Sequence, residues 1–302
     1  MSDDPRVLVT GATGNQGGAV VDALLAATEE FEVHGLTRDA GSDAARALAD
    51  RGVTVVEGDL DEPASLRPAV EAVDRVFAVT NFWTQGYERQ VRQGRNLADV
   101  AADVGVEQFV FSGVGSHRRE TGIPHFDSAW EIEEHARGLD LPLTVLGPVF
   151  FFQNFEAFAE DVLEGTLALP LAEGVSLQMV DVGDVGRAAA VTLADPDAFV
   201  GEWIELAGDE LTLAEAAETL SRVTGVEVDP YHVPIEEAYE SFGEEFTVMC
   251  EWFNEVGYEA DLEALEAQFG FAFTTLEGYL RANGWEDKQG MAAVPGWVKA
   301  MQ

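Results

Sequence analysis

The chain has 302 residues, 47% of them hydrophobic, which supports one large or two modest domains with a buried core and excludes a disordered tail. Its 17 Lys+Arg against 56 Asp+Glu give a formal net charge of −39 at pH 7, so phosphate backbones and anionic headgroups repel it, and nucleic acid and membrane surfaces are expected to be excluded as partners. The lone Cys250 rules out an internal disulfide framework and a four-cysteine zinc site, no apolar run reaches the roughly 18 residues of a membrane span, and Met1-Ser2-Asp3-Asp4-Pro5 lacks the regions of a signal peptide, so a cytoplasmic protein is expected.

Residues 6–10 form a short β-branched run that ends in glycines, and residues 19–27 then carry good helix formers without a breaker. Similar pairs follow: a strand over 32–36 with a helix over 42–51, 53–57 with 63–73, and 75–80 with 87–104. A strand over 108–112, a helix over 125–138 and a strand over 143–149 complete the series. Apolar strands alternating with helices at this spacing predict parallel βαβ units in a doubly wound sheet covered on both faces, an α/β Rossmann architecture. Beyond residue 155 the pattern changes, with strands expected over 176–182 and 203–206, a helix over 184–193, and helices over 212–224, 235–242, 244–256, 261–269 and 275–283. The expected organisation is a dinucleotide-type domain over 1–155 and a smaller mixed, mainly helical lobe over 156–302, packed on the first and not independent of it.

The basic residues are 15 Arg and only 2 Lys, Lys288 and Lys299, and the acids are spread along the chain. At about 1 M ionic strength the Debye length is roughly 3 Å, so the self-repulsion of such a surface is largely screened, and a halophilic host is expected. Residues 1–150 hold 12 basic and 25 acidic residues, whereas residues 151–302 hold 5 and 31, which places the counter-charges for an anionic ligand in the first half.

Gly11-Ala12-Thr13-Gly14-Asn15-Gln16-Gly17-Gly18 lies between the first strand and the first helix. There one glycine makes the tight turn, another lets the backbone approach a pyrophosphate, a third lets helix pack on strand, and the helix N-terminus supplies free N–H groups. This points to a bound dinucleotide. The second strand ends Thr37-Arg38-Asp39; Arg38 suits a 2′-phosphate and favours NADP(H) over NAD(H), while the adjacent Asp39 leaves a ribose contact open. Other strand ends share the carboxyl edge: Asp59 and Leu60 as flanks of an adenine, Thr80, Asn81 and Phe82 near a nicotinamide, and Ser112, each with a capping or packing role as the competing reading.

The glycine loop, Thr37-Arg38, Gly58-Asp59-Leu60, Thr80-Asn81-Phe82-Trp83 and His125-Phe126-Asp127-Ser128 together resemble the NmrA-like family of atypical short-chain dehydrogenase/reductases. The likeness extends to Gly147-Pro148-Val149-Phe150-Phe151-Phe152-Gln153-Asn154, to residues 180–185 and to the ending over 276–285, and is greatest to the redox-sensor type. It implies NADP(H) contacts at Gly11, Ala12, Thr13, Gly14, Asn15, Gln16, Gly17, Arg38, Asp59, Leu60, Thr80, Asn81, Phe82, Arg92, Phe151, Phe152, Gln153 and Asn154. For Arg92 a surface pair with Glu88 competes, and for the phenylalanines core packing is the better reading.

Standard short-chain dehydrogenases place Tyr-x-x-x-Lys on one helix face, where the ammonium lowers the tyrosine pKa. The family exchanges the tyrosine for histidine and usually keeps the lysine; here the positions are His125 and Ala129. His125 and Ser112 are the catalytic candidates, no metal-ligand spacing occurs among the five histidines, and Ser112 sits in no nucleophile elbow. Three readings follow: an NADP(H)-binding redox sensor with little or no dehydrogenase activity, acting through a protein partner; an NADPH-dependent reductase of a small apolar carbonyl, quinone or enone; and a nucleotide-free scaffold, which the glycine loop disfavours.

Overall fold

A computed structural model of the chain describes residues 4–119 and 121–288. From the start, β1 (Arg6–Val9), α1 (Asn15–Ala26), β2 (Glu32–Thr37), α2 (Asp43–Asp50), β3 (Thr54–Glu57), α3 (Pro63–Glu71) and β4 (Arg75–Val79) alternate. They are followed by a one-turn α4 (Phe82–Gln85), α5 (Tyr87–Val104), β5 (Gln108–Ser112), α6 (Pro124–Gly138) and β6 (Leu143–Pro148). Next come β7 (Phe150–Phe151), α7 (Ala159–Leu163), β8 (Thr166–Leu169), β9 (Ser176–Val180), α8 (Val182–Ala194), α9 (Pro196–Phe199) and β10 (Trp203–Leu206). The remainder holds β11 (Asp209–Thr212), α10 (Leu213–Thr224), β12 (Asp229–His232), α11 (Ile235–Ser241), α12 (Glu244–Glu255), α13 (Leu262–Phe269) and α14 (Leu276–Ala282). Two compact units result, one of Met1–Glu120, His125–Pro148 and Val182–Glu205, the other of Thr121–Pro124, Val149–Asp181 and Leu206–Gln302.

The first unit is built on a seven-stranded sheet in the order β10-β6-β5-β4-β1-β2-β3. Its ladders from β6 to β3 run parallel, with Leu8 opposite His34 on one side and Val76 on the other. Strands covered on both faces read as largely apolar runs, and β5 and β6 are buried at every position, whereas edge strand β3 is exposed at both ends. Leu8, Val76, Phe109 and Val145 from the sheet meet Leu66, Leu97 and Ile132 from α3, α5 and α6 in one continuous core. α8 returns to the first unit and packs on α1 so closely that a Cβ on Gly186 would lie 2.3 Å from the Ala19 carbonyl oxygen.

β1 lies between β2 and β4, so the winding reverses direction beside β1, and open α/β sheets bind ligands outside the carboxyl ends of their strands at such a point. The Thr10 hydroxyl donates to the Val79 carbonyl (3.0 Å) and accepts from the Val79 N–H (2.8 Å), fixing the ends of β1 and β4 together at that crevice.

The second unit holds a three-stranded sheet, β11-β9-β7, in which β9 is antiparallel to β11 and parallel to β7, and a two-stranded parallel pair, β12-β8. Helices dominate the rest. α10 starts on a capping box in which the Thr212 hydroxyl accepts from the Glu215 N–H and the Glu215 carboxylate accepts from the Thr212 N–H. The fold class is therefore α/β, a doubly wound Rossmann-like sheet with a smaller mixed unit. Among the described residues no helix is long and apolar enough to cross a membrane.

Candidate functional site

The glycine loop follows from its local sterics. Gly11 has φ +60°, a left-handed conformation that a side chain would strain. A Cβ on Gly17 would stand 2.2 Å from the Gly11 carbonyl oxygen and 2.5 Å from that of Thr10, so α1 approaches β1 only with glycine there. Gly14 is the N-cap of α1 without a side-chain cap, and Thr13, Gly14 and Asn15 are exposed, which leaves first-turn N–H groups turned to solvent. Ala12 is buried beneath them, and Gln16 is half-buried.

Arg38 stands exposed just past β2. Among the described residues no carboxylate engages it, whereas Arg6, Arg46, Arg51, Arg67, Arg89 and Arg92 all lie in ion pairs. The neighbouring Asp39 carboxylate accepts from the Gly41 N–H (2.8 Å), which folds it onto its own loop, and Ser42 caps α2.

At the end of β3 the Asp59 carboxylate accepts from the Asp61 N–H, an Asx turn, while the Leu60 carbonyl accepts from Asn96 (2.8 Å). Asp61 gathers Arg92 (2.7 Å), Arg89 (2.7 Å) and the Gln93 amide (2.9 Å). Burial pushes its carboxyl up, but the donors Arg92, Gln93 and Arg89 outweigh it and hold the group at about 2. Arg92 is therefore an anchored cation, and the acid that anchors it is Asp61, not Glu88.

Thr80, Asn81 and Phe82 follow β4 at the winding reversal. Asn81 Oδ1 accepts from the Thr84 N–H (3.1 Å), so that side chain caps α4. This turn presents Phe82 and Trp83 to the start of α6, where the His125 ring lies 5.7 Å from Phe82, 5.2 Å from Trp83 and 4.7 Å from Phe126, centroid to centroid. His125 is a nitrogen base walled by three apolar rings. Ser112, ending β5, donates to Gln16 Oε1 (2.7 Å) and so ties the glycine loop to the middle of the sheet. Ala129 is buried on α6. The Tyr87 hydroxyl is spent on Glu131 (2.6 Å), and burial together with that carboxylate pushes it up to about 12.

Sequence reading passed over three buried polar groups in this unit. Gln90 donates to Thr80 (3.1 Å) and accepts from Ser128 (2.6 Å). Its signal was present, since α5 buries Gln90 and Gln93 on the same stripe as Val91, Gly94 and Leu97. Glu133, its side chain fully buried, is held by His117, Arg118 and Arg137. Burial raises its carboxyl, but those three donors outweigh burial and hold it at about 2. Glu205, which accepts from Ser116 (2.7 Å), goes the other way, pushed up by burial.

In the second unit, Phe151 ends β7, and Phe152 is fully buried and stacked on Tyr279 at 5.6 Å. Gln153 donates to Asp181 (2.8 Å), and Asn154 is buried. Among the described residues no three His, Cys, Asp or Glu side chains converge in a way that could hold a metal.

The model of the NmrA-like family matches residues 3–280. An NmrA-like family domain-containing protein of Dictyostelium discoideum is 32% identical over 270 residues, covering 83% of this chain and 88% of that protein. An NAD(P)H azoreductase of Xenophilus azovorans is 32% identical over 236 residues, covering 77% and 78%. Among solved structures, an NADPH-dependent quinone oxidoreductase of Escherichia coli in complex with NADPH superposes with a TM-score of 0.81 at 23% identity, covering 92% of this chain and 99% of that one, a likeness of fold. On the family match and these relatives, the chain belongs to the NmrA-like family.

Proposed function

We propose that this protein binds NADP(H) at the carboxyl edge between β1 and β4 and reduces a small, flat, apolar acceptor such as a quinone, enone or apolar carbonyl. One observation carries the cofactor reading: in a chain of net charge −39, Arg38 is engaged by no carboxylate among the described residues, at the strand end where a 2′-phosphate is read. The site's shape fits the group as well, because Gly17 keeps the helix against the strand and the uncapped first turn of α1 offers N–H donors to a pyrophosphate. Arg38 and Gly11 to Gln16 would hold the phosphates, with Thr80 and Phe82 beyond them on the same edge. Asp39, turned onto its own loop, supports the phosphorylated over the unphosphorylated form.

When bound, the nicotinamide supplies the hydride. The chain's own part is to position it and offer a proton, and His125, enclosed by Phe82, Trp83 and Phe126, is the titratable side chain placed for that. Ser112 donates to Gln16, which favours a role in supporting the loop. The names of the relatives, an azoreductase and a quinone oxidoreductase, favour the same class of acceptor.

A second reading, a cofactor-reporting regulator without turnover, is favoured by the buried Ala129 in the position where the family usually carries lysine. Oxidation of NADPH in the presence of a simple quinone separates the two. Turnover that His125→Phe lowers at least tenfold supports the reductase; no turnover, with NADPH bound much more tightly than NADP+, supports the regulator. The acid-rich surface supports a high-salt working environment; equal unfolding midpoints in dilute buffer and molar KCl would contradict that.

A further inference from the structure

The turn that follows β5 has glycines where the backbone is ordinary and a serine where it is not. Neither Gly113 nor Gly115 has a positive φ, and Gly113 is bare because the His117 ring lies against it, so that a Cβ there would stand 2.8 Å from His117 Cε1. Ser116 has φ +58°, the left-handed region in which a side chain costs a factor of roughly five to thirty in stability and glycine is unstrained. The chain reverses at this residue. Before it, the Gly113 and Gly115 N–H groups still pair with the end of β6, donating to the Leu146 (2.9 Å) and Pro148 (2.8 Å) carbonyls; after it, His117 meets Glu133 on α6. A strained residue persists only where its surroundings over-determine it. For Ser116 they include Glu205, on β10 and 89 residues further along: the Ser116 hydroxyl donates to Glu205 Oε1 (2.7 Å). Both that hydroxyl and the Ser116 N–H oppose the rise that burial imposes on the carboxyl, so both donors of the strained residue face one carboxylate. Ser116 and Glu205 are buried, and glycine in place of the serine would relieve the backbone but lose the hydroxyl.

We propose that Ser116 and Glu205 form a strained catch that holds the 113–119 turn in one shape, and that they are positioning residues for the reduction proposed above. The positioning role rests on the reductase reading; the catch does not. The turn starts after Ser112, whose hydroxyl donates to Gln16 of the glycine loop, and the chain beyond it enters α6, whose first turn carries His125. One catch therefore sets the end of β5 and the approach to α6 together. Because Glu205 arrives on β10, the strand that joins β6 only after the excursion through the second unit, the catch closes last, when that strand is in the sheet. It accounts for a buried glutamate on an edge strand and for a serine where the local backbone asks for glycine.

Two measurements on the full chain test this. In denaturant unfolding, Ser116→Gly and Ser116→Ala both remove the hydroxyl, and only the first removes the strain. Ser116→Gly is expected to be the more stable of the two by a factor of roughly five in the unfolding equilibrium constant, the reverse of the order in an unstrained turn, where glycine is the weaker through its chain entropy. In NADPH oxidation with a simple quinone, Glu205→Gln, matched in size but with one carboxylate oxygen exchanged for a donor, is expected to lower kcat about fivefold. Adding Ser116→Gly to Glu205→Gln should recover most of that loss, because a turn without strain needs no catch; a residue that served packing alone would show no such rescue. Ser116→Ala as stable as Ser116→Gly would overturn the catch, and this comparison stands even where Glu205→Gln fails to fold. Turnover that Glu205→Gln leaves unchanged, or losses that add in the double variant, would overturn the positioning role. A wild-type chain that does not oxidise NADPH overturns the reductase reading and that role with it, while the order of the two Ser116 variants still decides the catch.

Discussion

Arg38 and Glu133 show two ways in which one strongly acidic chain places a charge. Arg38 stands exposed at the end of β2 with no acid engaging it, among the described residues, although acids outnumber basic residues by 56 to 17. Glu133, on α6, is wholly buried and surrounded by His117, Arg118 and Arg137. The cluster around Glu133 is closed on itself: His117, Arg118 and Arg137 all meet its carboxylate, and its consequence is stability. Arg38 has no such cluster: among the described residues no carboxylate engages it, and this is the observation on which the proposed 2′-phosphate contact rests. Asp61 lies between these cases, a partly exposed acid that takes up Arg89 and Arg92. A cation's place on the ligand edge is therefore less informative than whether the fold already satisfies it.

The contrast can be broken at either end. Replacing Glu133 should have the largest effect: Glu133→Gln removes the buried carboxylate that Arg118, Arg137 and His117 share, leaves two guanidinium groups without their counter-charge and should cost about 3 kcal/mol of stability in denaturant unfolding. The same change should leave the ratio of NADPH to NADH affinity unaltered; a shifted ratio would place Glu133 in the binding machinery. The effect depends on pH. Since the Glu133 carboxyl falls from an ordinary 4.5 to about 2 in the fold, its stabilisation is full above about pH 4.5 and lost as pH falls toward 2, so acid unfolding of Glu133→Gln should lose slope in that window.

Arg38→Ala should come next, with NADPH affinity reduced about tenfold or more and NADH affinity little changed, read by calorimetry. Stability should not move, since among the described residues that side chain has no ionic partner. Asp61→Asn frees Arg89 and Arg92 and should cost about 1 kcal/mol or less, because the arginines are largely solvated. Its effect should be absent near pH 2 and full above about pH 4, as the carboxyl is lowered from 3.8 to about 2. Arg92→Ala should be smallest for the cofactor, less than about threefold on NADPH, because its guanidinium is already committed to Asp61. A loss as large as that of Arg38→Ala would show that Arg92 leaves Asp61 for the phosphates.

The order of strands and helices through β6 was legible because each is written locally: β-branched runs, a helix-forming stretch and the glycines between them. The glycine loop was legible for the same reason, since Gly11 and Gly17 answer to steric demands within a few residues. What stayed hidden is set by distance along the chain. β10 joins the sheet beside β6 after an excursion through the second unit, and α8 packs on α1; neither follows from local pattern. Asp61 and Arg92 are 31 residues apart, so the sequence offered Glu88 as the nearer acid. Ser112 is a catalytic candidate by position alone, and only its bond to Gln16, 96 residues away, gives it a supporting role. The missing lysine at Ala129 placed a regulator first in the sequence reading, whereas the rings gathered around His125 weight the reading toward a reductase.

The most direct measurement is a calorimetric titration of the wild-type chain and Arg38→Ala with NADPH and NADH in molar KCl. The predicted result is a wild-type chain that binds NADPH at least about tenfold more tightly than NADH, and a variant in which that preference is gone while NADH binding persists. Equal wild-type affinities, or losses of the same size for both dinucleotides in the variant, would contradict the assignment of Arg38 to the 2′-phosphate.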